Sequence, residues 1–376
     1  MKKENVSFGI CAVLTFLVIA FVTFKRGPIT TTDSLLYTQW SQILIAKSFN
    51  LREFYMAVEF FTPLYFYTFT VFLMAVLQLI SPSEWKMLFL CVNLVSIVII
   101  LVCVHVIGRL TAVRSWILCI VPLFFILGDA LLWPAYILSD TYYAALVMLV
   151  LVFLIKTGKN SRVALFTTLF ILILTRPTAP AILAGVIASM VLVKFSTQAW
   201  SRYKLVILFA TGLLATAALY GFMMKLSLNG WFESKQIDFL REMVVKGIII
   251  HDRPDTWLIP STDFLNLVFV FLIRFFSFFK PWVASFSLMH NLILGIFIST
   301  FVIATYVFFV TKSEKRNNLF QFQFILLVII FLGAIYHAAT LIDYDWRYRF
   351  PYAVPMALHT IFGIESWFRE RTKAPI

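Results

Sequence analysis

Charge is scarce in this chain: of 376 residues only 13% are charged, with 18 Asp and Glu against 31 Lys and Arg. That poverty argues against a water-soluble globular protein, whose surface needs far more polar cover. Cysteine is sparse too. The four present, Cys11, Cys91, Cys103 and Cys119, all fall within apolar runs and form neither a CxxC nor a Cys/His spacing, so neither a disulfide nor a metal site is expected from them. No Gly/Ser linker, soluble domain or internal repeat interrupts the chain. What is abundant is apolar surface: 61% of residues are apolar and 17% aromatic. They come in runs near the length of about 20 residues that carries a helix across the hydrocarbon core. The expectation is a polytopic integral membrane protein.

The net charge of +13 would suggest a polyanionic partner in a soluble chain. Here the basic residues sit mostly in short gaps between apolar runs, so topology accounts for them and no nucleic-acid partner is expected. The first run, Ser7–Phe24, follows Lys2-Lys3 as a signal peptide would, but it ends in Lys25-Arg26 rather than a small-residue cleavage site. It is expected to stay as the first helix. Further spans are predicted near 87–107, 116–133, 140–155, 162–175, 178–194, 204–226, 285–310, 321–342 and 352–367, which makes an all-α bundle of about ten transmembrane helices in one domain. Alternate loops then carry Arg109/Arg114, Lys156/Lys159/Arg162, Lys194/Arg202/Lys204 and Lys312/Lys315/Arg316, and the tail carries Arg369/Arg371/Lys373. These ends are expected to be cytoplasmic, in a bacterial inner membrane.

On that topology every acidic residue except Glu4, Glu314, Glu365 and Glu370 lies on or near the outer side. Chemistry that needs carboxylates is therefore expected on the periplasmic or extracellular face. Two apolar segments stand outside the count: Thr62–Ile80, and Phe264–Phe279 with Arg274 in its middle. Counting one of them as a span would put the basic loops on both sides, so both are read as helices in the outer interface. The outer face then holds segments 25–86 and 227–284 and a short loop at 343–350, the two long segments covering an active site.

Beyond the first helix the sequence reads Thr30-Thr-Thr-Asp33-Ser-Leu-Leu-Tyr37-Thr-Gln-Trp40-Ser-Gln-Ile-Leu44. A helix starting after Asp33 stacks Tyr37, Trp40 and Leu44 on one stripe. Asp33 has two readings: an N-cap accepting a backbone N–H, or a general base taking a proton from an acceptor hydroxyl. The two are compatible, since a capped carboxylate is also an oriented one. Asp140, after Ser139, is either a cap for the helix that follows or an ionisable group with a paired or functional role near a span. Arg176 stands before Pro177 inside an apolar stretch and cannot snorkel to the cytoplasm, so an anion should meet it. The candidates are a carboxylate such as Asp129 or Asp140, or the phosphate of a lipid carrier held in bidentate fashion.

Several of these features are arranged in a familiar order. Asp33 with Tyr37 four residues on, just after the first helix, then Pro63-Leu64-Tyr65, then Leu138-Ser139-Asp140-Thr-Tyr-Tyr-Ala, then Leu174-Thr175-Arg176-Pro177, and finally Trp346-Arg347-Tyr348-Arg349-Phe350-Pro351 with Pro355, together resemble the GT-C class of polyprenyl-phosphate-dependent glycosyltransferases. The likeness extends to the protein mannosyltransferase and aminoarabinose transferase superfamily. It implies a membrane transferase that moves a sugar from a polyprenyl-phosphate donor to a hydroxyl of a lipid or glycan acceptor, by inverting displacement. Asp33 would be the catalytic base and Asp140 a supporting carboxylate. Apart from the resemblance, Tyr37 and Arg176 are read as substrate-binding, Arg176 at the leaving phosphate, and Arg347 and Arg349 are either interfacial anchors or, one of them, a clamp on that phosphate. The chain departs from members with Lys ahead of the Pro-Leu step, where it has Thr62, and from those with a soluble C-terminal domain. No nucleotide or haem is implied, although Asp33 and Asp140 could share a divalent cation.

Asp343-Tyr344-Asp345 has the form of a DxD metal motif, but it lies in an outer loop and can pair with Arg347 and Arg349. His251-Asp252-Arg253-Pro254-Asp255 reads as a solvated turn, and His105, His290, His337 and His359 lack partners at metal-ligand spacing. Two other functions fit the composition. A transporter or flippase of lipid-linked saccharides would carry charges near the midplane and show related halves, whereas here the acids cluster on one face. A surface-glycan polymerase would share the donor and transfer whole oligosaccharides.

Overall fold

Inside a bilayer every backbone N–H and C=O must find its partner within the chain, so apolar runs fold as helices. The computed structural model describes residues 2–58, 62–127, 131–156, 158–194, 272–283, 287–310, 318–339 and 349–373. Among them the structure is helical, with one isolated bridge between Ile29 and Tyr136 and no extended sheet. The helices are α1 Lys2–Arg26, α2 Thr32–Ala46, α3 Leu51–Ala57, α4 Thr68–Ile80, α5 Trp85–Leu110, α6 Ser115–Leu118, α7 Ile120–Leu127, α8 Asp140–Ile155, α9 Lys159–Ile173, α10 Ala179–Lys194, α11 Leu288–Val310, α12 Asn318–Ala339 and α13 Phe350–Lys373. Four described segments are long and apolar enough to cross a membrane: Val6–Arg26, Trp85–Leu110, Leu288–Val310 and Leu319–Ala338. They coincide with four of the spans predicted from sequence.

The other predicted spans are shorter or differ. Helix α8 has 16 residues, a rise of about 24 Å at 1.5 Å per residue, less than the roughly 30 Å of hydrocarbon. The predicted span 116–133 is broken between α6 and α7 at Cys119. Pro122 explains the break, since its ring cannot coexist with a helical carbonyl four residues earlier, at Leu118. The predicted span 204–226 lies outside the described residues, as do most of 227–284, the His251–Asp255 turn, Asp129, Arg347 and the Asp343/Asp345 pair. The predicted interfacial segment 62–80 forms a 3-10 turn, Thr62–Tyr67, and then α4, which at 13 residues is too short to cross. The second such segment is described only from Leu272 onward, where residues 272–278 are helical.

The chain comprises two compact units, Met1–Pro180 with Ala353–Ile376, and Ala181–Tyr352. In the first, α8 is the centre: Val147, Met148, Val150 and Leu151 are fully buried and nearly all of its first 13 residues are covered. An all-apolar helix shaft makes sense only when surrounded, and α5 and α9 flank it. Helix α1 packs on α5, α6 and α7, while α4 lies against α2 and α5. Gly108 lets α5 approach α6, since a Cβ there would stand 2.2 Å from Leu118 Cδ1. In the second unit aromatic rings fill the core, with Phe279 stacked on Phe301 at 5.8 Å and Phe275 on Phe331 at 6.0 Å. Gly333 is required there, because a Cβ would reach within 2.4 Å of the Tyr352 ring.

Candidate functional site

The segment leaving α1 is tied to the segment entering α8. Ile29 N–H donates to Ala135 O at 2.8 Å and Ile137 N–H donates to Ile29 O at 3.0 Å. Asn93, fully buried on α5, donates from Nδ2 to both Pro134 O and Tyr136 O at 3.0 Å. Both acidic positions follow within four residues of that junction, Asp33 in the first turn of α2 and Asp140 opening α8.

The sequence left the capping of α2 open, and the structure gives it to Thr31. Its hydroxyl accepts from Ser34 N–H at 3.3 Å and the Ser34 hydroxyl returns to the Thr31 backbone, a reciprocal box. Helix α2 therefore begins at Thr32, one residue before Asp33 rather than after it, and the N-cap reading of Asp33 is replaced. The predicted stripe is present: Tyr37, Trp40 and Leu44 are all buried. Tyr37 packs on Trp40 at 5.9 Å and on Tyr67 at 5.0 Å between ring centroids, and the two tyrosine hydroxyls hydrogen-bond one another. Burial, then the neighbouring Tyr67 and Asp33, push Tyr37 well above the usual tyrosine range. Burial likewise raises Tyr67, against the pull of Arg176. Both rings thus stay neutral hydrogen-bonding groups.

Arg176 sits in the step between α9 and α10, where Pro177 prevents a continuous helix. Its Nη1 pairs with Asp140 Oδ1, so of the partners open to Arg176 and the roles open to Asp140, the described structure shows the ion pair between them. Both side chains are buried, at 7% and 2% exposure, a depth at which an unpaired charge would be costly. The guanidinium also lies 5.9 Å from the centroid of Tyr143, whose hydroxyl accepts from Thr178 at 3.1 Å. Helix α4 is pinned to the same step: Phe69 N–H donates to Leu174 O at 2.8 Å, Tyr142 donates to Thr70 Oγ1 at 2.7 Å, and Thr70 donates to Thr175 O at 3.3 Å.

Asp33, Tyr37, Tyr67, Asp140 and Arg176 thus share one electrostatic neighbourhood, in which Tyr67 feels both carboxylates and the guanidinium. Tyr67, Asn93, Thr70 and Tyr143 were not singled out from the sequence. The available signal was positional, since Tyr143 stands three residues after Asp140 on the same helix face. Among the described residues no group of three or more His, Cys, Asp or Glu side chains could hold a metal ion. Of the two carboxylates that could share a cation, Asp33 and Asp140, the second is paired with Arg176.

Arg349 belongs to the second unit and is considered separately. It is 2% exposed, and its Nη1 donates to Lys280 O at 2.9 Å and Phe278 O at 3.3 Å. Its Nη2 has no hydrogen bond among the described residues. No family model matches the chain, and neither the curated proteins nor the solved structures compared with it give a match.

Proposed function

We propose that the chain is a membrane glycosyltransferase that takes a sugar from a polyprenyl-phosphate donor and joins it to an acceptor hydroxyl at the outer face of a bacterial inner membrane. The observation that supports this best is the division of labour at the start of α2. Thr31 makes the helix cap, and Asp33 acts electrostatically on the same two neutral tyrosine hydroxyls as the buried Arg176. A half-exposed carboxylate beside a buried cation is the pairing that displacement at an anomeric carbon requires, with a proton acceptor on one side of the reacting carbon and positive charge on the other.

In the proposed reaction Asp33 accepts the proton of the acceptor hydroxyl as its oxygen bonds to the anomeric carbon. The bond from that carbon to the phosphate oxygen breaks, polyprenyl phosphate leaves with the electron pair, and the anomeric configuration inverts. Arg176 supplies positive charge to the leaving phosphate while Asp140 holds the guanidinium in register, a positioning role. Tyr37 and Tyr67 serve as neutral donors to substrate oxygens.

The test is transfer of labelled sugar from a polyprenyl-phosphate donor in membranes containing the protein. The expected result is loss of transfer in Asp33→Asn with normal insertion. Full activity of that variant, or equal use of a nucleotide sugar without polyprenyl phosphate, would overturn the proposal. Movement of intact lipid-linked saccharide without bond cleavage would replace it with transport.

A further inference from the structure

A second site is drawn by the turn between α8 and α9. Phe153 of α8 and Asn160, Val163, Ala164, Thr167 and Thr168 of α9 line an open groove of about 460 Å³. The α9 residues recur at three-and-four spacing, so they form one continuous face along the helix shaft. The face is less polar than its threonines suggest, since Thr168 satisfies its hydroxyl within the helix by donating to Ala164 O at 2.7 Å. A groove of this size falls within the range of small-ligand sites, roughly 300–1,000 Å³.

The helix pair is cationic at its connecting turn, the end at which Asn160 lines the groove. Lys156, Lys159 and Arg162 lie at this end of the helix pair, all exposed, and no acidic residue occurs in the sequence between Asp140 and Glu233. Among the described residues none of the three makes an ion pair. Basic residues at a helix end are the ordinary mark of a cytoplasmic loop, but that rule does not call for an apolar groove leading away from them. An amphiphile with an anionic head and an apolar chain satisfies both features at once, and basic pockets between helices at that level are suited to anionic lipid headgroups.

We propose that α8 and α9 hold an anionic phospholipid, its phosphate among Lys156, Lys159 and Arg162 and an acyl chain along Phe153, Val163, Ala164 and Thr167. The site is independent of the transferase reading: it needs no sugar donor and uses none of the residues assigned to catalysis. Its occupant holds the outer surfaces of α8 and α9 together near their connecting turn, away from the Asp140–Arg176 pair that joins them at their other ends.

The experiment is native mass spectrometry of the full-length protein in detergent, titrated with phosphatidylglycerol or phosphatidylcholine of identical chains. Phosphatidylglycerol is expected to bind at least tenfold more tightly. Each Gln substitution among Lys156, Lys159 and Arg162 should weaken it about fivefold, and Ala164→Phe should displace it with all three charges intact. Replacing Lys312, Lys315 and Arg316 by Gln should leave binding unchanged. Equal binding of the two lipids, full retention by the Lys156/Lys159/Arg162 triple variant or by Ala164→Phe, or an equal loss from the 312–316 control would each overturn the proposal.

Discussion

Among its described residues the first unit contains two ionic clusters that differ in how completely they are closed. At one, Glu365 of α13 is 1% exposed and its carboxylate is fully subscribed: it accepts from Arg369 Nε at 2.8 Å and from Arg114 N–H at 3.4 Å, with Arg114 Nε at 3.6 Å. Arg369 also donates to Ala112 O, the carbonyl of a residue held at φ +54° after α5, and Arg114 lies 5.5 Å from the centroid of Phe368. Apart from the Arg369–Glu365 pair within α13, each contact ties α13 to the α5–α6 turn. The other cluster has a buried pair, Asp140–Arg176, beside a carboxylate on another helix, Asp33, whose expected structural duty Thr31 performs. A closed network of this kind serves as a clamp, whereas the second cluster is the one to which the proposed transfer is assigned.

The sharpest way to break that comparison is to remove one member of the buried pair. Asp140→Ala leaves Arg176 charged at 7% exposure and should cost about 3–5 kcal/mol, read as a large drop in thermal midpoint in detergent. Replacing both partners by apolar residues of similar volume, Asp140→Leu with Arg176→Met, should recover most of that stability and none of the sugar transfer. Recovery of transfer in the double variant would reduce the pair to a structural role.

Next in size is Asp33→Asn, which should lower transfer by about 10²–10⁴-fold, the usual worth of a general base, while changing stability by less than about 0.5 kcal/mol. Thr31→Ala should behave in the opposite sense, costing about 1 kcal/mol as a lost cap and sparing most of the activity. The contrast is measured by pairing thermal melts with initial rates. If Asp33→Asn proved the more destabilising of the two, the assignment of the cap would be wrong.

Glu365→Gln should have a smaller effect than Asp140→Ala despite equal burial of the acid. The side chains of Arg114 and Arg369 are 35% and 30% exposed, so water takes over when the carboxylate is lost, and the cost should be about 1–2 kcal/mol with unchanged transfer. A loss of activity larger than the loss of folded protein would mean that the clamp communicates with the site.

Much of this was legible in the sequence, and the part that was not has definite causes. Hydropathy located the four long spans, and three-and-four spacing placed Tyr37, Trp40 and Leu44 on one buried stripe. Arg176 announced a buried anion, because charge in an apolar run demands one, but two carboxylates and a lipid phosphate were eligible, and it is the packing of α8 against α9 that brings Asp140 to it. The start of α2 was misplaced because Thr30, Thr31, Thr32 and Asp33 are all good caps, and local propensity cannot rank four adjacent candidates. The role of Asn93 was invisible, since its two acceptors are backbone carbonyls more than forty residues away.

The smallest expected effect separates the clusters by pH. Tyr37 and Tyr67 are raised by burial above the ordinary tyrosine range near pH 10. In the folded chain they hold their protons where the unfolded chain releases them. Their contribution to stability is therefore complete below about pH 10 and declines as pH rises above it. Absorbance titration of tyrosinate should show these two lagging the exposed tyrosines, and Tyr37→Phe should flatten the alkaline loss of stability. Glu365→Gln should leave that alkaline slope alone, because no tyrosine takes part in the hydrogen bonds and ion pairs of the clamp. A slope that changed in Glu365→Gln and not in Tyr37→Phe would place the alkaline-sensitive group outside the α2 site and weaken the case that its hydroxyls are held neutral for use.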